Sequence, residues 1–251
     1  MKENVLVLVR AIPEKSRKYG HNVCVAGIND DGSWRRLYPF QFEYGKKLNF
    51  RKRDIIEVTI EEPDNDKRKE SRKVTGYKTI KSLDEKEVLK RILPCVASVE
   101  KLKKEKASLG AVKPELEDME ICVNDTRLYD DQTYLSAAEG FLEKREKVKM
   151  PVELRYKFKC KGEKDCSGHR MILIDWELNE LTRNIMRNEK DKIIIEQKIR
   201  EKFFNFMKKR DLYFILGTHF KFGTWMIIGL FYPKKDVAAQ KSLVELFEGN
   251  S

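Results

Sequence analysis

The chain reads as an α+β protein: a small closed β-barrel, a helical and extended connector, and a second β unit interrupted by helices. Three observations predict this. Five short strand signals with polar turns between them fill residues 1–83, with no long helix among them. From Asp84 the apolar residues recur at three- and four-residue steps, the spacing of an amphipathic helix. Beyond Pro151, alternating and fully apolar strands resume on either side of a helical stretch at 178–209. The expected division is therefore 1–83, 84–150 and 151–251.

Val5-Leu6-Val7-Leu8-Val9 is a β-branched and Leu run, read as a strand buried on both faces. A basic loop, Pro13 to Gly20, leads to a second strand, Asn22 to Ile28. Asp31-Gly32 supplies the positive-φ positions of a tight hairpin into the third strand, Ser33 to Pro39. Asp54 to Glu62, with Ile56, Val58 and Ile60 on one face, is the fourth, and Arg72 to Ile80 the fifth. In the connector, Val88, Leu89, Ile92, Val96, Val99 and Leu102 keep helical spacing, with a break at Pro94. Lys101 to Lys106 reads as a solvated helix end, Leu109 to Val123 as extended, Asn124 to Thr133 as a polar loop and Tyr134 to Lys149 as a Glu/Lys-rich helix. In the last part, Leu178, Leu181 and Ile185 share one helix face. Ile195, Ile199, Phe203, Phe206 and Met207 share another, beyond a charged kink at 188–191. Leu212 to Thr218 and Thr224 to Tyr232 form an apolar hairpin, and a helical or frayed tail follows Lys234. No internal repeat of 20–50 residues is visible in the sequence.

With 52 Lys+Arg against 41 Asp+Glu the net charge is +11, which favours polyanionic partners, nucleic acid first. A soluble Lys/Glu-rich protein with no such partner is the plainer alternative. Five irregularly spaced cysteines imply no disulfide framework. The apolar run at the start is too short for a signal-peptide core or a membrane span, so a cytoplasmic location with reduced thiols and no membrane partner is expected.

Chemistry concentrates between Tyr156 and Leu178. Arg155, Lys157, Lys159 and Lys161 line one face of a strand, and Tyr156, Phe158 and Cys160 the other. The Gly-containing turn that follows holds Cys160, Cys166 and His169, thiolate and imidazole donors suited to zinc. A closed site needs a fourth ligand, for which Cys122, Cys95 and His219 are candidates. Two ordinary cysteines and a surface histidine are the alternative.

Asp175 and Glu177, at i and i+2 where a buried strand ends, share a face and could hold magnesium in a nuclease. Helix capping is the commoner role for such a pair. No nucleophile elbow, Walker loop, dinucleotide fingerprint or zincin motif is present.

In the third strand, Trp34, Arg36 and Tyr38 share a face, with Arg35 beside them. A guanidinium between two rings is a surface on which unpaired bases stack. Lys46, Lys47, Arg51, Lys52 and Arg53 follow, placed to track phosphates. If Trp34 and Tyr38 are core residues, this platform disappears.

Several blocks together resemble a prokaryotic family described as containing a dual OB-fold domain and predicted to bind nucleic acid. They are V-L-V-R-A, K-Y-G-H-N-V-C-V-A-G-I, D-G-S-W-R-R-L-Y-P, L-G-A-V-K-P, Y-K-F-K-C, I-D-W-E-L, D-L-Y-F-I-L-G-T and M-I-I-G-L-F-Y-P, spread from Val5 to Pro233. The resemblance implies two OB-like barrels and a nucleic-acid context such as prokaryotic defence, and it brings no catalytic residues. The expected function is a non-catalytic module binding single-stranded DNA or RNA. A metal-dependent nuclease using Asp175 and Glu177 is the first alternative, and an adaptor or sensor for a protein partner or small nucleotide the second.

Overall fold

A computed structural model describes residues 1–11, 14–16, 20–41, 48–123 and 152–235. The readings of 124–133 as a loop and 134–149 as a helix, and that of the tail beyond Lys235, lie outside the described residues.

The first unit is a closed five-stranded barrel. Its strands are β1 (Lys2–Arg10), β3 (Gly20–Asn29), β4 (Trp34–Gln41), β5 (Asp54–Glu61) and β6 (Ser71–Ser82), and a short β2 (Glu14–Ser16) lines the free edge of β3. β1 pairs antiparallel with both β3 and β5, β3 with β4, and β5 with β6; the barrel closes through a parallel pair, β4 with β6. Alternation fills the interior with Val5, Val7, Val25, Leu37, Phe40, Ile56, Val58 and Ile60. The β3–β4 turn falls where expected, but only Gly32, at φ +84°, takes a positive φ; Asp31 does not.

Asp84 caps α1 (Glu85–Ile92) through a capping box with Glu87. Pro94 opens a 3-10 turn, Leu93–Cys95, that ends this helix, and Ser98 caps α2 (Val99–Lys104). The helical connector and its break at Pro94 are thus as the sequence indicates.

The second unit repeats the connectivity of the first. β7 (Leu109–Val112) and β8 (Pro114–Val123), separated only by Lys113, act as one bent strand: β8 pairs with β9 (Val152–Cys160), and β7 with β11 (Tyr213–Thr218). β9 pairs with β10 (His169–Ile172) and β11 with β12 (Trp225–Phe231), all antiparallel. A parallel bridge, Leu173 to Ile227, joins the end of β10 to β12. Each unit therefore orders its strands first-second-third-fifth-fourth, with the third and fifth parallel.

Between the third and fourth strands of this unit lie α3 (Trp176–Asn188), α4 (Lys192–Arg200), a π-turn at Glu201–Asn205 and a last turn, Phe206–Lys208. Ile195, Ile199, Phe203 and Met207 are buried, as their spacing predicts. Inside the π-turn the Phe203 carbonyl accepts a hydrogen bond from the Tyr156 hydroxyl at 2.5 Å, so it does not depend on the helix for a donor. No helix among the described residues is long and apolar enough to cross a membrane.

The units meet along an apolar seam. β1 is buried on both faces because Val5 and Val7 enter the barrel while Leu6, Leu8 and Val9 face outward onto the second unit. Ala26 and Ile28 of β3 join them, against Tyr213, Ile215, Ile228 and Phe231, with α1 closing one side. Gly229 lets the strands approach: a Cβ there would come within 2.7 Å of the Val9 side chain. Ile215 is fully buried in this seam. Ile215→Ala is expected to cost about 2–5 kcal/mol, read by urea titration. Because the seam belongs to both units, fluorescence and circular dichroism should report one transition. Two separate transitions would show that the units fold independently.

Candidate metal centre and basic loop cluster

β9 ends at Cys160 and β10 begins at His169, so the turn between them folds Cys166 back beneath the strand ends. Gly162 at φ +87° and Gly168 at φ +94° take the left-handed conformations this turn needs. The His169 Nε2 lies 3.5 Å from the Cys160 Sγ and 3.3 Å from the Cys166 Sγ. The fourth donor is Glu100, in the first turn of α2, with Oε1 3.5 Å from the same imidazole nitrogen. All four ligand atoms fall within 4.8 Å of one another, and the cluster could hold a metal ion. The Val99 N–H donates to the Cys160 Sγ at 3.5 Å and the Cys160 N–H to the Cys166 Sγ at 3.3 Å, contacts that orient and stabilise sulfur as an anion. Burial, with Cys166 adding to it, pushes the Cys160 thiol up to about 12, and burial pulls the His169 imidazole down. Two sulfurs, an imidazole and a carboxylate are a donor set that a divalent cation could bind, displacing protons from sulfur as it does so.

The expected fourth ligands are not the ones used. Cys122 is exposed on β8, Cys95 points its thiol at the carbonyls of Gly32 and Arg91, and His219 lies in the β11–β12 turn. Glu100 stands about sixty residues before Cys160 and next to the charged run 101–106, where a carboxylate looks like ordinary surface. The one available signal was Ser98, the helix cap that fixes the start of α2 and so the direction of Glu100.

Most of the basic residues singled out in the sequence have structural work. Arg36 is buried and donates to the Ser108 carbonyl at 2.8 Å, while Ser108 is held by Glu70 at 2.7 and 2.9 Å. Trp34 packs on the seam, and Arg35 forms a forked pair with Glu3 at 2.6 and 3.1 Å. Tyr38 is half-buried and engaged in a contact of its own, so the stacking platform of Trp34, Arg36 and Tyr38 does not exist as an open surface. Ser108 occupies Arg36, and the seam takes up Trp34.

Arg51 is exposed, and Arg53 lies 3.9 Å from Glu85. Lys46 and Lys47 lie outside the described residues. The face of β9 carrying Arg155, Lys157 and Lys159 does point outward, but acids neutralise it. Lys157 meets Glu120 at 3.0 Å, Lys159 meets Glu117 at 3.7 Å, and Arg155 meets Glu153 at 3.3 Å. The side chains of Arg170 and Lys157 hold the Glu120 carboxyl down to about 2. Lys161 is exposed just past the strand end. The cationic strand face is thus one half of a charge ladder whose other half, Glu-rich β8, lies about forty residues upstream.

Asp175 is buried, and both of its oxygens are used. One accepts the Glu177 N–H at 2.8 Å, capping α3; the other accepts from Lys52 Nζ at 2.7 Å, across the seam. Glu177 also reaches Lys52, at 3.2 Å. Burial alone would lower the Lys52 pKa, but these two carboxylates outweigh it and the value stays raised. The acidic pair caps a helix and fastens the seam, and Lys52 is an internal counterion, not a phosphate contact.

A second cluster escaped sequence reasoning. The β5–β6 loop of the first unit touches the β11–β12 turn of the second: Arg68 forks onto Asp66 at 2.5–3.1 Å and donates to the Thr218 carbonyl at 2.7 Å. Its guanidinium also lies over the Phe220 ring, 5.4 Å from the centroid. Phe220 and Phe222 are 57% and 77% exposed, and Phe222 stacks on His219 at 4.8 Å. Lys67, Lys69 and Lys106, all exposed, line a groove with Phe220.

The geometry defines a two-unit α+β protein with a side-chain cluster that could hold a metal and a basic, aromatic loop junction. Residues 1–93 match the family model Domain of unknown function (DUF8758), and residues 95–248 match Domain of unknown function (DUF8757). The chain belongs to the DUF8757 family, whose match spans well over half of it, and the two matches part within the 3-10 turn at Leu93–Cys95. No curated protein matches the chain.

Asp175→Asn separates capping from pairing. Asn keeps the cap acceptor but removes one of the two charges opposite half-buried Lys52, so a loss of about 1–3 kcal/mol is expected in a urea titration. An unchanged midpoint would show that Asp175 serves the helix alone.

Proposed function

We propose that the chain is a non-catalytic nucleic-acid-binding module made of two OB-like barrels, with zinc held by Glu100, Cys160, Cys166 and His169. The connectivity carries this reading. The first unit's closed barrel, with its parallel third–fifth pair, and the similar strand order of the second unit, where a single bridge stands in for that pair, support an OB-like reading, and the usual ligands of that fold are oligonucleotides and oligosaccharides. A net charge of +11 favours the polyanion. The sequence resemblance to the dual OB-fold family points the same way. Asp175 and Glu177, both engaged by Lys52, give the nuclease alternative no support.

In an OB barrel the customary ligand surface is the outer face of the second and third strands, flanked by the first–second and fourth–fifth loops. Here the seam covers that face in the first unit, and ion pairs balance it in the second. Ligand contacts therefore fall to the loops. Full-length protein should bind labelled single-stranded DNA or RNA with an affinity that drops about 10³-fold between roughly 50 and 200 mM salt, for six or more phosphate contacts. Salt-independent binding, or none, would remove the reading.

Zinc suits two sulfurs, one imidazole and one carboxylate in four-coordinate geometry. It would tie α2, at the head of the second unit, to the β9–β10 turn. Elemental analysis of protein expressed with zinc should give about one zinc per chain, abolished by Cys160→Ser with Cys166→Ser. Glu100→Gln should weaken retention against a chelator about tenfold or more, as loss of a ligand's charge implies. Wild-type protein free of zinc would return the cluster to ordinary thiols.

A further inference from the structure

We propose that the β5–β6 loop and the β11–β12 turn together form a groove for single-stranded nucleic acid, in which Phe220 and Phe222 stack on bases and Lys67, Lys69 and Lys106 hold phosphates. This rests on the nucleic-acid reading above and assigns it a surface.

Apolar side chains this large are seldom left so exposed, and the tip of one turn holds two of them. The turn is ordered without burying either ring: the His219 N–H donates to the Thr224 carbonyl at 2.8 Å, the Gly223 N–H to the His219 carbonyl at 3.0 Å, and the His219 Nδ1 accepts from the Lys221 N–H at 3.2 Å. Phe222 is stacked on that His219 ring, and Phe220 is backed by Arg68. Both rings are thus positioned in advance, which lowers the entropy lost when a base is bound. Arg68 is a positioning residue, since Asp66 and the Thr218 carbonyl occupy its donors.

The groove beside Phe220 has a volume of about 500 Å³ and is lined by Lys67, Lys69 and Lys106, by the Arg68–Asp66 pair, and by Asn65 and Ser108. Lys67 and Lys106 have no ion-pair partner among the described residues, in contrast to the neutralised lysines of β9. Aromatic faces next to unpaired cations and polar side chains match the chemistry of unpaired bases on a phosphate backbone.

The test uses the full chain and an oligodeoxythymidylate of about fifteen nucleotides, followed by anisotropy, with a 2-aminopurine version reporting stacking. Phe220→Ala with Phe222→Ala should weaken binding about tenfold or more, suppress the 2-aminopurine signal and leave the salt slope unchanged. Lys67→Ala, Lys69→Ala and Lys106→Ala together should reduce that slope by roughly 2. Both sets lie on the surface, and unchanged melting confirms the fold. If the wild type binds and the Phe variant binds as tightly, the groove is wrong while the nucleic-acid reading survives. If the wild type binds no oligonucleotide, both fall. Binding to phosphatidylserine vesicles but not to oligonucleotide, lost in the Phe variant, would reassign the surface to a membrane.

Discussion

The seam between the units is the constraint from which the remaining features follow. Apolar residues on the outer faces of β1 and β3 meet the outer faces of β11 and β12, so one barrel's exterior becomes the interior of the whole molecule. Burying that much apolar surface is the main favourable term available to a chain with 37% charged residues. It also draws polar groups inward, and each must then be satisfied. Lys52 with Asp175 and Glu177 at one place, and Arg36 with Ser108 and Glu70 at another, are the result. These contacts fix how the units dock more than they add stability, because desolvation offsets much of the Coulomb attraction.

Much of the fold was legible in the residues. The five strands of the first barrel, the Asp31-Gly32 turn, the break at Pro94 and the helix faces of Ile195, Ile199 and Met207 follow from local periodicity and turn chemistry. The sites were less legible because they depend on distant partners. Cys160, Cys166 and His169 are close in sequence and were visible; Glu100 arrives from another helix. Lys157 and Lys159 looked like a cationic face because their acidic partners lie on β8. Trp34 and Arg36 looked like a platform because a strand does not announce what covers its outer face. Phe220 and Phe222 fall in the connection between two apolar strands, and local periodicity says nothing of what a turn residue faces.

The two candidate centres occupy different places in this frame. Glu100, Cys160, Cys166 and His169 bind the connector to the first hairpin of the second unit, a structural location for a metal with all four donors supplied by protein. The aromatic and basic junction instead draws one loop from each unit, and Arg68 joins them through the Thr218 carbonyl. The rings and Lys221 come from the β11–β12 turn, while Lys67 and Lys69 come from the β5–β6 loop, so the docking of the units gathers the full set of rings and cations.

That claim is tested most directly by amide hydrogen exchange on the intact protein, with and without a single-stranded oligonucleotide. The account predicts that residues 62–70 and 219–224 gain protection together, while the outward faces of β6 and β9 exchange as before. Protection centred on β9, or on only one of the two loops, would contradict a ligand surface made by the meeting of the two units.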